Sequence, residues 1–214
     1  LLFLLFSFFY IYRNEYFNDS KFLLLIGLLM YLIVFSSWII VSYQLPVYII
    51  PIAMFSILLT VLLDTTVSLI SSTILILLVS LLIGNDLDFA IIQFFISFIA
   101  ILSVRKLRKR RQIIATMLTL VMCSLFVFFS VMLFKGIDFL DYNYSTVGYL
   151  ALSSFLCPIL AFGLVPLFES FFGITTDLSL IELLDYDQPL LKKLMEDAPG
   201  TVSYTHLTLP TSQY

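Results

Sequence analysis

Six long apolar runs constrain this chain more than any other feature. They cover residues 22–41, 47–63, 67–83, 87–104, 113–134 and 146–168. At a rise of about 1.5 Å per residue, crossing a hydrocarbon core about 30 Å thick takes roughly 20 residues, and most of these runs meet or approach that length. A further run at residues 1–12 reads as the back half of a cut transmembrane helix, which brings the expected count to seven spans. Apolar residues make up 61% of the 214 and charged residues only 12%, against about 45–50% and about 25% in soluble domains. In hydrocarbon every backbone N–H and C=O must be paired within the protein, which leaves helices and closed barrels. Barrel strands alternate apolar and polar residues, and Ile74-Leu75-Ile76-Leu77-Leu78-Val79 does not alternate. The fold class expected is therefore all-α, a polytopic membrane helix bundle.

Orientation follows from the basic residues. Arg105, Lys106, Arg108, Lys109, Arg110 and Arg111 crowd the connection between two runs, and Lys and Arg flanking membrane spans remain on the cytoplasmic side. With that connection inside, Arg13, Lys21, Lys192 and Lys193 fall inside as well. Ten of the eleven Lys and Arg residues are then cytoplasmic, and Lys135 alone lies outside. The expected topology has the N-terminus outside and the C-terminus inside. Trp38, Tyr43, Tyr48, Tyr142, Tyr144 and Tyr149 collect near the outer span ends, as an interfacial aromatic belt does.

Little chemistry is visible inside the spans. Asp64 and Glu169 sit at inner span ends, Gln93 is the most deeply placed long polar side chain, and no histidine falls within a run. Cys123 and Cys157 lie mid-run and read as small packing residues rather than a disulfide or metal pair. Ser71, Ser72 and Thr73 in one run, and Ala151, Ser153 and Ser154 in another, would let helices approach closely. Pro51, Pro158 and Pro166 lie inside runs and are expected to kink their helices or tighten their ends. Gly163 together with Pro166 could interrupt the last span, as in carriers. That supports a polytopic transporter or channel subunit as an alternative function.

From Phe172 onward the character changes. Thr176 or Asp177 can cap a short helix bearing Leu178, Ile181 and Leu184. Gln188-Pro189 can open a second with Leu190, Leu191 and Leu194 on one face, ended by Ala198-Pro199-Gly200. The stretch from Gly173 to Asp185, followed by Gln188-Pro189-Leu190-Leu191-Lys192-Lys193-Leu194 and Ala198-Pro199-Gly200-Thr201, resembles the junction in bacterial seven-transmembrane receptors with an intracellular HD hydrolase. The resemblance in motif covers about 30 residues. It implies a transmembrane sensor or anchor for a cytoplasmic phosphodiesterase that degrades cyclic di-AMP, with an extracellular domain before the spans and a divalent metal pair in the HD domain. The implied location is the bacterial plasma membrane, and the implied partners are the lipid bilayer and those two domains of the same chain, with no nucleic acid.

The resemblance stops at Thr201. The family would continue Tyr-His-His-Ser where this chain reads Val202-Ser203-Tyr204. None of the metal-binding His and Asp residues of an HD site maps onto this sequence, so no catalytic, cofactor-binding or metal residue is expected in it, and no activity of its own. Val202 to Thr211 resembles the translation of a common transposase sequencing adapter. The expected organisation is a transmembrane domain over 1–172, a cytoplasmic helical linker over 173–201 and a non-native tail over 202–214, in which His206, the only histidine, is neither ligand nor base.

Overall fold

A computed structural model describes Ser7, residues 20–105, 111–136 and 144–174, and Thr176. Among the described residues six α-helices follow Ser7: α1 (Ser20–Ser42), α2 (Ile52–Leu62), α3 (Thr65–Ile83), α4 (Leu87–Val104), α5 (Arg111–Phe134) and α6 (Tyr144–Phe172), with one 3-10 turn at Val47–Ile49. No strand occurs among the described residues. Five of the helices are long and apolar enough to cross a membrane. Leu87–Val104 and Ile113–Phe134 reproduce the expected runs residue for residue. The run at 1–12 lies, except for Ser7, outside the described residues.

The run at 47–63 is not one continuous helix: the expected single span is corrected to a broken segment, and the break falls at the Pro51 that was expected to kink it. Pro51 has no N–H to donate, and the residue before a proline is pushed out of the helical region. Ile50 accordingly sits at φ −58°, ψ 122° and Pro51 at φ −84°, ψ 57°, which leaves α2 only 11 residues long. At about 1.5 Å per residue that is roughly 16 Å, half a bilayer core. The break frees backbone groups that must be paired, and the Ser153 hydroxyl of α6 donates to the Ile49 carbonyl in a long 3.5 Å hydrogen bond.

This short helix is the centre of the bundle. It packs against α1, α3, α4 and α6, and Ile52, Ala53, Phe55, Ile57, Leu58, Leu59 and Leu62 are all buried. Where α2 meets α3, Thr60 Oγ1 donates to Ser68 Oγ at 2.9 Å. The Ser68 hydroxyl in turn donates to the Ser56 carbonyl at 2.6 Å. Small hydroxyl residues thus bring two helix backbones close, at Ser68 rather than at the Ser71, Ser72 and Thr73 singled out in the sequence, where the Ser72 and Thr73 hydroxyls bond within their own helix. Ser71 and Ser72 are buried on the same helix.

Tight connections fix the order of the helices. Asp64 caps α3, its carboxylate accepting the Thr65 N–H at 2.7 Å. Gly84 ends α3 in the left-handed region at φ +111°, with the Asn85 N–H returning to the Ser80 carbonyl at 2.8 Å. Asp86 then caps α4, accepting from the N–H groups of Asp88 at 3.0 Å and Phe89 at 3.2 Å. These are a left-handed C-terminal cap and an N-cap back to back, so α3 and α4 form an antiparallel hairpin.

Tyr48 requires a second correction. It is not part of an aromatic belt but lies 8% exposed, its ring 5.9 Å from that of Phe89 and 6.1 Å from that of Phe128. The 3-10 turn tucks it inward between α4 and α5. Trp38, Tyr43 and Tyr144 are exposed, as a belt requires, Tyr149 is half-buried, and Tyr142 lies outside the described residues.

Candidate functional site

The most specific polar arrangement in the described residues is at the end of α6. At 29 residues, or about 44 Å, this helix is longer than the hydrocarbon core is thick. It passes unbroken through Pro158, Gly163 and Pro166. The interruption that would have favoured a carrier is therefore absent. Pro158 is buried and Pro166 exposed, both inside a continuous helix.

What stops α6 is Gly173. It adopts φ +65°, a conformation glycine reaches without steric cost. The Ile174 N–H then turns back to the Glu169 carbonyl at 3.2 Å. This is the bond from C″ to C3 that defines a Schellman cap, and Ile174 packs on the apolar core beside it. Phe168 and Phe172 stack at 6.3 Å on the buried side of the same turn.

Glu169 adds a fastening beyond the cap. A carboxylate in the last turn of a helix opposes the macrodipole, at a cost of a few tenths of a kcal/mol or more. Here its Oε1 accepts the Thr176 N–H at 3.0 Å and the Thr176 hydroxyl as well. Hydrogen bonds to an ionised acceptor are the stronger kind, and two of them offset the dipole term. Thr176 is held 3% exposed. The chain thus leaves α6 in a direction set by one glycine and one carboxylate. The helices expected after it, with Asp177, Leu178 and the Gln188-Pro189 start, lie outside the described residues, as does His206.

The remaining candidates have structural roles or none assigned by their surroundings. Asp64 is a helix cap, and Gln93 is buried on α4. Cys123 is half-buried and Cys157 buried, both as free thiols, with Cys157 Sγ 3.8 Å from Ser153 Oγ. Among the described residues no cluster of His, Cys, Asp and Glu could hold a metal ion. Lys135, at the far end of α5, pairs with Asp88 in the first turn of α4, where the helix N-terminus favours a carboxylate.

Sequence reading located Glu169 but missed its pairing with Thr176. The signal was present as a glutamate four residues before a glycine and seven before a threonine.

Helices of this length and composition, with Asp64 and Asp86 serving as caps and Ser68 as a close helix contact, define a multi-pass α-helical membrane protein. The sequence model of the 7TM receptor with intracellular HD hydrolase matches residues 1–176, and the chain belongs to that family. It is 28% identical over 173 residues to the cyclic-di-AMP phosphodiesterase PgpH of Bacillus subtilis, covering 78% of this chain and 24% of that protein. It is 44% identical over 59 residues to the cyclic-di-AMP phosphodiesterase PgpH of Listeria monocytogenes, covering 28% of this chain and 8% of that protein. The chain thus spans a quarter or less of the length of these curated relatives. No solved structure matches it.

Proposed function

We propose that this chain is the transmembrane sensor or anchor region of a membrane-bound HD-type phosphohydrolase that degrades cyclic di-AMP. The family match over residues 1–176 carries the reading, and the names of both relatives supply the substrate. In this reading seven spans, one of them the broken segment in which the 3-10 turn, Ile50-Pro51 and α2 together cross the bilayer, place the N-terminus outside and the C-terminus inside, residues 173–201 form a helical linker, and the HD domain lies beyond them in the intact protein. The divalent metal pair that an HD hydrolase implies would sit in that domain rather than among these helices. The bundle's own part is to hold the enzyme at the membrane and to set, through Gly173 and Glu169, how the chain enters the cytoplasm. Coupling to an external signal would require two helix arrangements of different ligand affinity.

The same reading makes residues 202–214 a non-native tail, supported by the adapter-like string that begins where the junction motif ends. The test is the genomic sequence across the Gly200 codon, read with adapter-free primers. A Tyr-His-His continuation into an HD domain is the expected result. Recovery of Val202-Ser203-Tyr204-Thr205-His206 followed by an unrelated domain overturns both the tail assignment and the hydrolase.

A further inference from the structure

The interface between α3 and α4 is built from two matching rows. Leu69, Ser72 and Thr73 of α3 meet Phe94, Ser97 and Phe98 of α4, each row at the i, i+3, i+4 spacing of one helix face. Together they line a cavity of about 10 Å³. A cavity of roughly 10–15 Å³ holds one water molecule, so this space admits water and no larger ligand. The Phe94 and Phe98 rings stack at 6.5 Å and each also has an exposed side, so they form the wall between the cavity and the lipid.

One hydroxyl on this cavity lacks a partner. Ser97 is 2% exposed, and its Oγ makes no hydrogen bond to any protein atom. It stands ten residues after Leu87 and seven before Val104, the two ends of α4, so at least about 10 Å of helix separates it from either end. At that depth an unpaired polar group is costly, because hydrocarbon offers it nothing to bond. The hydroxyls across the interface have the complementary need. That of Ser72 donates to the Ser68 carbonyl, and that of Thr73 to the Leu69 carbonyl at 2.8 Å. Their protons are committed, while each oxygen keeps acceptor capacity. The cavity therefore presents a donor on α4 and acceptors on α3.

We propose that this cavity is a binding site for a single structural water, which accepts the Ser97 O–H and donates to the Ser72 and Thr73 oxygens. Water both accepts and donates at this size, and three partners are the usual number for a buried water. No charged side chain lines the cavity, so nothing there selects an ion. The bridge joins α3 to α4 at mid-span. The site rests on the membrane location of the helices and not on the hydrolase reading.

The test uses the 214-residue chain, isotopically labelled and reconstituted in bilayers of deuterated lipid. Solid-state NMR measures the transfer of magnetisation from water protons to the Thr73 methyl and the Ser97 Cβ. Ser124 of α5, equally buried and with its hydroxyl bonded to the Val121 carbonyl, is the reference for relay through a hydroxyl proton alone. Wild type is expected to show transfer severalfold faster at Thr73 and Ser97 than at Ser124. Ser97→Val fills the space with methyl groups and should bring the Thr73 rate down to the Ser124 level. Thr73→Val keeps the shape, removes one acceptor and should slow transfer to Ser97. Wild-type rates no faster than at Ser124, or an undiminished Thr73 rate in Ser97→Val, would overturn the site. Ser97→Ala, which adds no bulk, gives an independent reading by unfolding in sodium dodecyl sulfate. Loss of a bridged hydroxyl should lower its midpoint, whereas loss of an unpaired one is neutral or stabilising, so an unchanged or raised midpoint would also overturn the site.

Discussion

Glu169 and Thr176 stand seven residues apart across the end of α6 and are joined twice, the carboxylate accepting both the backbone N–H and the side-chain hydroxyl of the threonine. This turns the exit from the last helix into a defined joint. Hydrogen bonds to a charged group contribute about 1.5–3 kcal/mol when well sheltered, and Glu169 is half-exposed, so the lower end applies. Glu169→Ala should speed hydrogen exchange of the Thr176 amide by about tenfold while leaving amides in α3 and α4 unchanged. Exchange measured in nanodiscs checks it. An unchanged Thr176 amide would show that the carboxylate does not hold the joint.

Gly173 makes the same joint possible through its φ of +65°. A β-branched residue in that conformation is strained by about 1–2 kcal/mol. Gly173→Val should therefore lower the stability of the α6 end by about that amount, and Gly173→Asn by clearly less, since asparagine tolerates the left-handed region. No atom lies within 4 Å of a Cβ built at this position, so the effect is conformational and not a clash. Comparing the Ile174 and Thr176 exchange rates of the two variants distinguishes them.

The hydroxyl ties between α2 and α3 predict a modest effect for a conservative change and a large one for a bulky change. Ser68→Ala removes the bond to the Ser56 carbonyl and leaves Thr60 without its acceptor at Ser68. Such bonds in membrane bundles average about 0.6 kcal/mol, with a maximum near 1.7. Ser68→Leu must push the helices apart at a fully buried position, and overpacking costs about 1–3 kcal/mol or more. Unfolding in increasing sodium dodecyl sulfate should rank wild type, then Ser68→Ala, then Ser68→Leu.

Neutralising Arg105, Lys106, Arg108, Lys109, Arg110 and Arg111 should give mixed membrane orientation. Four basic residues would remain on the proposed inner side against Lys135 on the other. Reporter fusions at Lys135 and Gly200 read the outcome, and one clean orientation in the neutralised variant would show that the cluster is not the main topological determinant.

Hydropathy made most of the helices legible, because length and apolar content alone decide whether a segment can cross hydrocarbon. The Asp64 and Asp86 caps and the Gly84 turn could also be read, since each uses a residue type with a local preference. The broken segment before α2 was legible only in part: Pro51 marked the run for a kink, but not for a break that leaves α2 at 11 residues. Ile50 and Pro51 are as apolar as their neighbours, and the break comes from backbone geometry that hydropathy does not register. Tyr48 was placed at an interface for the same reason, because sequence position near a span end does not say that a 3-10 turn will carry the ring inward. The pairing of Glu169 with Thr176 depends on the left-handed turn between them, so neither residue alone announced it.

The hydrolase proposed for the intact protein is tested most directly by its activity. Membranes carrying the full-length native gene product should hydrolyse cyclic di-AMP in a divalent-metal-dependent manner, and membranes carrying only residues 1–201 should not. Absence of hydrolysis by the full-length protein with an intact HD domain would contradict the assignment, as would equal hydrolysis by the helices alone.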